Sequence, residues 1–461
     1  MQANGTPAAR SDRSFHLHPT SNLAALRDEG PMVIVRGDGV HVIDEAGRRY
    51  IEGMAGLWCA GLGFSERRLA DAAHRQMLEL PFYHAFSNKV PAVSAQLAER
   101  VVAVAPEGLA RVFFANSGSE ANDSAVKLAW YLNNGRGRPR KKKLISRRGA
   151  YHGVTVAAGS LTGLGFAHGD FDLPAARFLH TGTPHHWRFG KPGESEEAFA
   201  ERLAAELEEL ILAEGPDTVA AFFAEPVMGA GGVIVPPATY FERVQRVLSK
   251  HEVLMVADEV ICGFGRTGNM FGSQTFGIRP DVLTCAKMMT SGYIPMSAML
   301  VSAEVYDTLE RQSEKLGIFG HGFTYSGHPV AAAVALETLR VYEERDLLAR
   351  VRGVAPVLQD GLRALAGHPL VGEARGVGLI GALELAKDRD ARQAFDPKAG
   401  VGAQVVKHAQ QRGAILRSLP GDVIAFSPPL VIQAHELREL LACAKGALDD
   451  TWEWVKANGL A

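Results

Sequence analysis

Lys287 is the residue of this sequence with the most chemistry in prospect. It stands in Cys285-Ala-Lys287-Met-Met-Thr-Ser-Gly292, just after an apolar run and ahead of a glycine turn. Most lysines lie on solvated faces. Partial burial and a neighbouring cationic ring would lower the pKa of this one and make its amine nucleophilic toward an aldehyde. A lysine snorkelling at a strand end is the plainer alternative. Two carboxylates accompany it: Glu225, before Pro226, and Asp258, in Asp258-Glu-Val260, each directly after an apolar run. Open α/β sheets bind ligands at the carboxyl ends of their strands, so both are placed to face one. An aspartate beside an aromatic ring nitrogen keeps that nitrogen protonated and turns the ring into an electron sink.

Two further segments complete the set. In Asn116-Ser-Gly-Ser-Glu-Ala-Asn-Asp123, Ser117, Gly118 and Ser119 would present N–H groups and hydroxyls at a helix N-terminus, where the dipole favours an anion. An ordinary serine N-cap satisfies the same pattern, and the absence of a Walker lysine argues against a nucleotidase. Tyr151-His152-Gly153 offers a ring that could stack on a flat heterocycle, or a pair that simply packs in the core.

These segments need a scaffold, and the chain is long enough for two or three domains at 461 residues. Helical stretches over 69–80 and 94–104 precede a strand over 112–115. A helix from about Ser119 then places Ala121, Ala125, Leu128, Ala129 and Leu132 on one face. Strands are expected over 218–224, 253–257, 281–286 and 297–301, with helices over 195–213 and 238–250 between some of them. Short apolar strands separated by helices imply an α/β fold, a mostly parallel sheet with helices on both faces. The segment up to about Phe64 reads as strand and turn. Helix dominates after Gly327 through Ala366, followed by strands near 378–385 and 423–426 and a last helix over 434–456.

Other patterns carry less. Two GxGxxG matches, at Gly263, Gly265, Gly268 and at Gly376, Gly378, Gly381, lack the helix a dinucleotide site requires: 269–277 is turn-rich and 382–385 continues as strand. The basic run 136–143, with Arg147 and Arg148, reads as a solvated loop entering a strand rather than a nucleic-acid surface, for it lacks interleaved aromatics. Lys and Arg (49) nearly balance Asp and Glu (51), so no field favours nucleic acid or an anionic membrane. His180, His185 and His186 lack a carboxylate or cysteine at ligand spacing and read as surface histidines, so no metal is expected. Four scattered cysteines point to a reducing compartment. The first twenty residues contain no apolar stretch, and no run approaches a membrane span, so a cytoplasmic protein is expected.

Taken in this order, the five segments resemble the class III pyridoxal-phosphate-dependent aminotransferases, the ω-transaminase family of amine:pyruvate type, from about Asp44 to the C-terminus. The strongest stretch is Leu254-Met-Val-Ala-Asp-Glu-Val-Ile-Cys-Gly-Phe-Gly-Arg-Thr-Gly268 followed by Lys287, supported by the segments at 117–122 and 151–153 and by Gly322-Phe-Thr-Tyr-Ser-Gly-His-Pro329. The resemblance implies fold type I, with a large cofactor domain over 66–335 and a small α+β domain over 336–461 joined by the segment 1–65. It implies a homodimer, or a tetramer, with shared active sites. By that likeness Ser117, Gly118 and Ser119 hold the phosphate of pyridoxal 5′-phosphate and Tyr151 stacks on its ring. His152 and Glu225 also border the cofactor, Asp258 pairs with the ring nitrogen, and Val260 packs on the opposite face. Lys287 carries the aldehyde, and Thr324 reaches the neighbouring subunit's phosphate.

For substrates, the resemblance implies that Arg417 binds a keto acid carboxylate, a task suited to a guanidinium, within aromatic walls of Trp58, Phe86 and Tyr151. Relatives using 2-oxoglutarate often show a glutamine and a glutamate where this chain has Met228 and Ala230 in Glu225-Pro-Val-Met-Gly-Ala230. That departure favours pyruvate as acceptor and alanine as product. Met288-Met289 stand where Gly-Leu is common, with no functional account. A decarboxylase, racemase or aminomutase of the same fold is the nearest alternative. A non-catalytic scaffold or regulator is the other, although no separate DNA-binding segment is visible.

Overall fold

The computed structural model describes residues 6–461; the first five residues of the expected 1–65 segment lie outside them. A seven-stranded sheet organises the large domain. From one edge its strands are Leu109–Ala115, Ser297–Ser302, Val282–Cys285, Leu254–Asp258, Val219–Ala224, Lys143–Arg147 and Phe178–Thr181. Pairings from Val282–Cys285 through Phe178–Thr181 are parallel. Ser297–Ser302 alone runs antiparallel to both neighbours. The link from Cys285 back to it holds only a 3-10 turn at Lys287–Thr290, too little chain for a parallel crossover. Val219–Ala224, Leu254–Asp258 and Val282–Cys285 are buried at every position, as a sheet covered on both faces requires. Helix Gly118–Gly135 buries Ala121, Ala125, Leu128, Ala129 and Leu132, the face expected from periodicity.

A second sheet, antiparallel throughout, joins Val371–Val377, Ile380–Leu385, Val423–Phe426 and Arg417–Leu419. Helices Leu347–Leu365 and Ala434–Ala457 accompany it. A third small sheet pairs Ile34–Asp38, His41–Asp44 and Arg49–Glu52, and Ala414–Ile415 from the far end of the chain extends it in parallel. The N-terminal segment and the C-terminal part are thereby stitched together. The boundary expected at 335/336 falls inside helix Pro329–Glu344.

Several expectations need correction. The segment before Phe64 is not all strand and turn: helices Pro7–Phe15 and Leu23–Glu29 begin at capping side chains Thr6 and Asn22. Strands Phe178–Thr181 and Val371–Val377 escape an apolar-run criterion because polar residues interrupt them and both are sheet edges. The first glycine motif is followed by a five-residue helix, Gly272–Phe276, rather than by turn alone. The second is a hairpin turn between strands, with Gly378 at φ +58°.

The basic run is less solvated than expected. Lys141 Nζ donates to His251 O and Glu252 O at 2.8 and 3.0 Å, just past helix Tyr240–Lys250. Lys142 donates to Trp130 O in helix Gly118–Gly135 at 2.9 Å, and Lys143 to Glu214 O at the end of helix Glu196–Glu214 at 3.0 Å. Three consecutive lysines therefore meet carbonyls in or just beyond three different helices, two of them at C-terminal ends where the dipole favours cations. Arg147, at the end of its strand, is fully buried. His185 is buried too, against Glu373 and Glu384, carboxylates from nearly two hundred residues later that sequence spacing cannot reveal. The three side chains stand close enough for an ion, but Arg375 already pairs with both carboxylates. His180 and His186 are half-buried. Among the described residues no helix is long and apolar enough to cross a membrane.

Lys141→Met should lower stability by about 1–3 kcal/mol, since it removes a charged donor's hydrogen bonds to two part-buried carbonyl oxygens. A chemical-denaturation midpoint equal to that of the unsubstituted protein would refute the capping role.

Candidate active site

At the carboxyl ends of the central strands lies a cavity of about 330 Å³. Its walls bring together nine of the residues singled out in the sequence: Ser117, Gly118, Ser119, Tyr151, His152, Glu225, Asp258, Val260 and Lys287. Asp258 ends its strand and is 3% exposed. Its Oδ2 accepts from Asn122 Nδ2 at 2.8 Å and meets His152 Nδ1 at 2.8 Å, while its Oδ1 accepts from Val260 N at 3.1 Å. A buried carboxylate needs such donors to remain charged. The contact requires the proton on His152 Nδ1, and His152 therefore supports Asp258 as well as lining the cavity.

Lys287 opens the 3-10 turn after strand Val282–Cys285, at φ +47°. Its ammonium has no ion-pair or hydrogen-bond partner among the described residues. Burial holds its pKa below the ordinary lysine value, while neighbouring Cys59, Asp258 and Glu225 act in the opposite sense. Across the cavity, helix Gly118–Gly135 begins at N-cap Ser117, whose Oγ accepts from Glu120 N at 3.2 Å. Space is tight at two glycines around this N-terminus. A Cβ on Gly118 would stand 3.0 Å from Val260, and Gly153, at φ +129°, lies against Ser119, whose Oγ accepts from Val154 N at 3.1 Å. The exposed N–H groups and helix dipole make this corner an anion site.

Glu225 forms another wall. Its Oε1 accepts from Tyr151 N at 3.0 Å and its Oε2 from Gly229 N at 2.9 Å, and burial raises its pKa. Behind it the buried Arg147 donates to Glu225 O at 2.6 Å.

The other expected residues lie outside this cavity. Trp58 is buried, at φ +60°, and the Arg417 guanidinium stands 5.3 Å from its ring centre. Arg417 has no carboxylate partner among the described residues; burial lowers its pKa while the Tyr151 hydroxyl acts in the opposite sense. Ala230 is half-buried on the loop after Gly229. Phe86 is exposed against Gly322, and Thr324 is exposed on the following loop.

Some residues at the site have no role assigned from sequence. Asn122 is oriented by Thr284 Oγ1, which donates to its Oδ1 at 2.9 Å, and Cys59 lines the cavity. A threonine inside the otherwise apolar strand Val282–Cys285 was the available signal. Met288 also gains a contact: the buried Arg266 places Nη2 3.4 Å from its Sδ while donating to Leu379 O and Pro428 O.

Known proteins resemble this chain in sequence and in overall structure. The family model described as Aminotransferase class-III matches residues 24–448. The chain is 52% identical over 430 residues, 93% of its length and 83% of the relative's, to gamma aminobutyrate transaminase 1, mitochondrial, of Solanum lycopersicum. Among solved structures it resembles an omega transaminase from Pseudomonas jessenii in complex with PMP (TM-score 0.95, 52% identity, 97% of this chain and 99% of that one). It also resembles a transaminase with L-ala (TM-score 0.90, 54% identity, 92% and 100%).

Because a depressed pKa leaves more of the amine neutral at a given pH, acetylation of Lys287 in the cofactor-free protein should rise through a midpoint below the ordinary lysine value of about 10.4. Mass-spectrometric labelling across pH measures it, and a midpoint shared with surface lysines contradicts the environment described for this side chain.

Proposed function

The chain belongs to the class III aminotransferases, whose cofactor is pyridoxal 5′-phosphate, and from that premise we propose that it transfers an amino group from a primary amine or ω-amino acid to pyruvate, giving alanine, by a ping-pong mechanism through Lys287. The carrying observation is an amine at Lys287 with no partner in the cavity, together with a guanidinium at Arg417 that has no carboxylate partner among the described residues and lies within electrostatic reach of Tyr151 in the cavity wall. The Lys287 amine stands in the cofactor cavity, and the Arg417 guanidinium stands beside Trp58 without a carboxylate. A guanidinium left unpaired in a half-buried position is suited to a substrate carboxylate.

The residues fit the cofactor. An anion corner at Ser117–Ser119, cleared of side-chain bulk by Gly118 and Gly153, faces a cavity with a hydrogen-bonded carboxylate at Asp258 and an unpaired amine at Lys287. When bound, the cofactor supplies an aldehyde for the amino group and a protonated ring that withdraws electrons from the reacting carbon. The backbone N–H groups of 117–119 hold its phosphate. Asp258, kept in place by His152 and Asn122, presents negative charge to the ring nitrogen, while Tyr151 and Val260 confine the ring. Lys287 Nζ, with its lowered pKa, accepts the donor's α-proton and would deliver it one step later to a different carbon, acting as base and then acid. Arg417 orients the keto acid.

Met228 and Ala230 support pyruvate over 2-oxoglutarate, since neither supplies an amide or a carboxylate, and a similar transaminase carries L-ala. The gamma aminobutyrate transaminase relative supports an ω-amino acid among the donors. A homodimer with Thr324 facing the neighbouring cofactor is supported by exposed Phe82, Phe86, Ile318 and Tyr325 on the loops around it. The four free cysteines support a reducing setting.

A panel of amine donors run against pyruvate and 2-oxoglutarate tests the acceptor: alanine should form at least about tenfold faster than glutamate for the best donor, a difference of one decade in kcat/KM. Equal rates, or glutamate in excess, exclude the pyruvate assignment. Lys287→Ala should lower turnover by about 10⁴-fold or more, the order expected when one group anchors and transfers the proton. Borohydride treatment of the loaded enzyme should leave the cofactor on the Lys287 peptide in the unsubstituted protein and nowhere in the variant; a tag on another lysine relocates the chemistry.

A further inference from the structure

Arg375 lies on strand Val371–Val377 of the C-terminal sheet, 8% exposed, and reaches into the large domain. Its Nε donates to Gly232 O at 3.0 Å and Val233 O at 3.2 Å, and its Nη2 to Gly232 O at 2.6 Å. The remaining nitrogen pairs with Glu373, and with Glu384 at 2.7 Å, while His185 stands against the same two carboxylates. The contacted loop leads back to the active site. Gly232 N and Val233 N both donate to Gly229 O, at 3.1 and 2.9 Å. Gly229 N in turn donates to Glu225 Oε2 at 2.9 Å, and Glu225 Oε1 receives Tyr151 N at 3.0 Å. An unbroken hydrogen-bonded chain thus runs from the small-domain sheet to the cavity wall.

The loop has a physical need for this contact. Val233 sits at φ +52°, a left-handed conformation that β-branched residues avoid, and such a backbone persists only where its surroundings hold it. Gly232 leaves room for little besides the guanidinium: a Cβ there would stand 3.2 Å from Arg375 Nη2. A planar fork can serve two adjacent carbonyls and two carboxylates at once, which a lysine ammonium cannot. We propose that Arg375 is a positioning residue that couples docking of the C-terminal sheet to the Glu225–Tyr151 wall, holding the loop 229–233 so that Glu225 stays aimed at the cofactor cavity. The inference rests on the reading of Glu225 as part of the cofactor's site.

Arg375→Lys tests it, because the ammonium can keep a carboxylate partner but not both backbone carbonyls. Hydrogen exchange of amides 229–234 should accelerate, and the dissociation constant for pyridoxamine phosphate, which is not joined to Lys287, should rise by about tenfold. Glu373→Gln is the structural control: it weakens the ion cluster yet leaves the carbonyl bonds, so thermal stability should fall while both readouts stay put. Unchanged exchange in Arg375→Lys, or the same changes in Glu373→Gln, overturns the proposal. So does faster exchange with unaltered binding, provided Glu225→Gln itself weakens binding. If Glu225→Gln binds pyridoxamine phosphate as tightly as the unsubstituted protein, the reading of Glu225 fails, and amide exchange alone judges the coupling.

Discussion

The buried carboxylate of Asp258 is the constraint on which the rest of the molecule depends. An aspartate taken out of water at the end of a strand is costly unless several donors reach it. Here they come from separate elements: Asn122 from the helix after the first sheet strand, His152 from the loop after another, and Val260 N from Asp258's own turn. Thr284, on the adjacent strand, fixes the orientation of Asn122. No short peptide could assemble that set. The parallel order of the sheet, which aligns the carboxyl ends of neighbouring strands, is what makes it possible.

Lys287 occupies the opposite situation. The protein provides Asp258 with donors and leaves the lysine without a partner, so that desolvation is the largest influence on its basicity. The strained turn that carries it is braced from beneath by Arg266, a buried guanidinium bonded to carbonyls of the C-terminal region. The two domains are therefore linked under the lysine as well as through Arg375 beside Glu225. Both links use an arginine whose several donors satisfy backbone oxygens across a domain boundary, a geometry a single ammonium cannot reproduce.

Much of this was legible in the chain. The central strands are near-continuous apolar runs, and the helix over Gly118–Gly135 shows a clean buried face, because burial on both sides of a sheet and one-sided burial of a helix imprint those patterns directly. Edge strands Phe178–Thr181 and Val371–Val377 and the two N-terminal helices were not, since polar residues interrupt them. The basic run misled for a related reason: a lysine beside a helix end and a lysine in solvent are the same letter, and only the position of the carbonyls distinguishes them.

By itself the sequence determined the chemical types and their order: an amine after one strand, carboxylates after two others, a serine-glycine helix start, and a family resemblance that carries the cofactor. Tertiary structure alone decided which groups touch. It assigned His152 to Asp258, set Arg417 against Trp58, buried His185 among carboxylates from the far end of the chain, and separated Phe86 and Thr324 from the cavity. The physical reason is range. Periodicity and capping act over a few residues, whereas hydrogen bonds and desolvation at the site join positions more than a hundred residues apart, fixed only once the strands are ordered in the sheet.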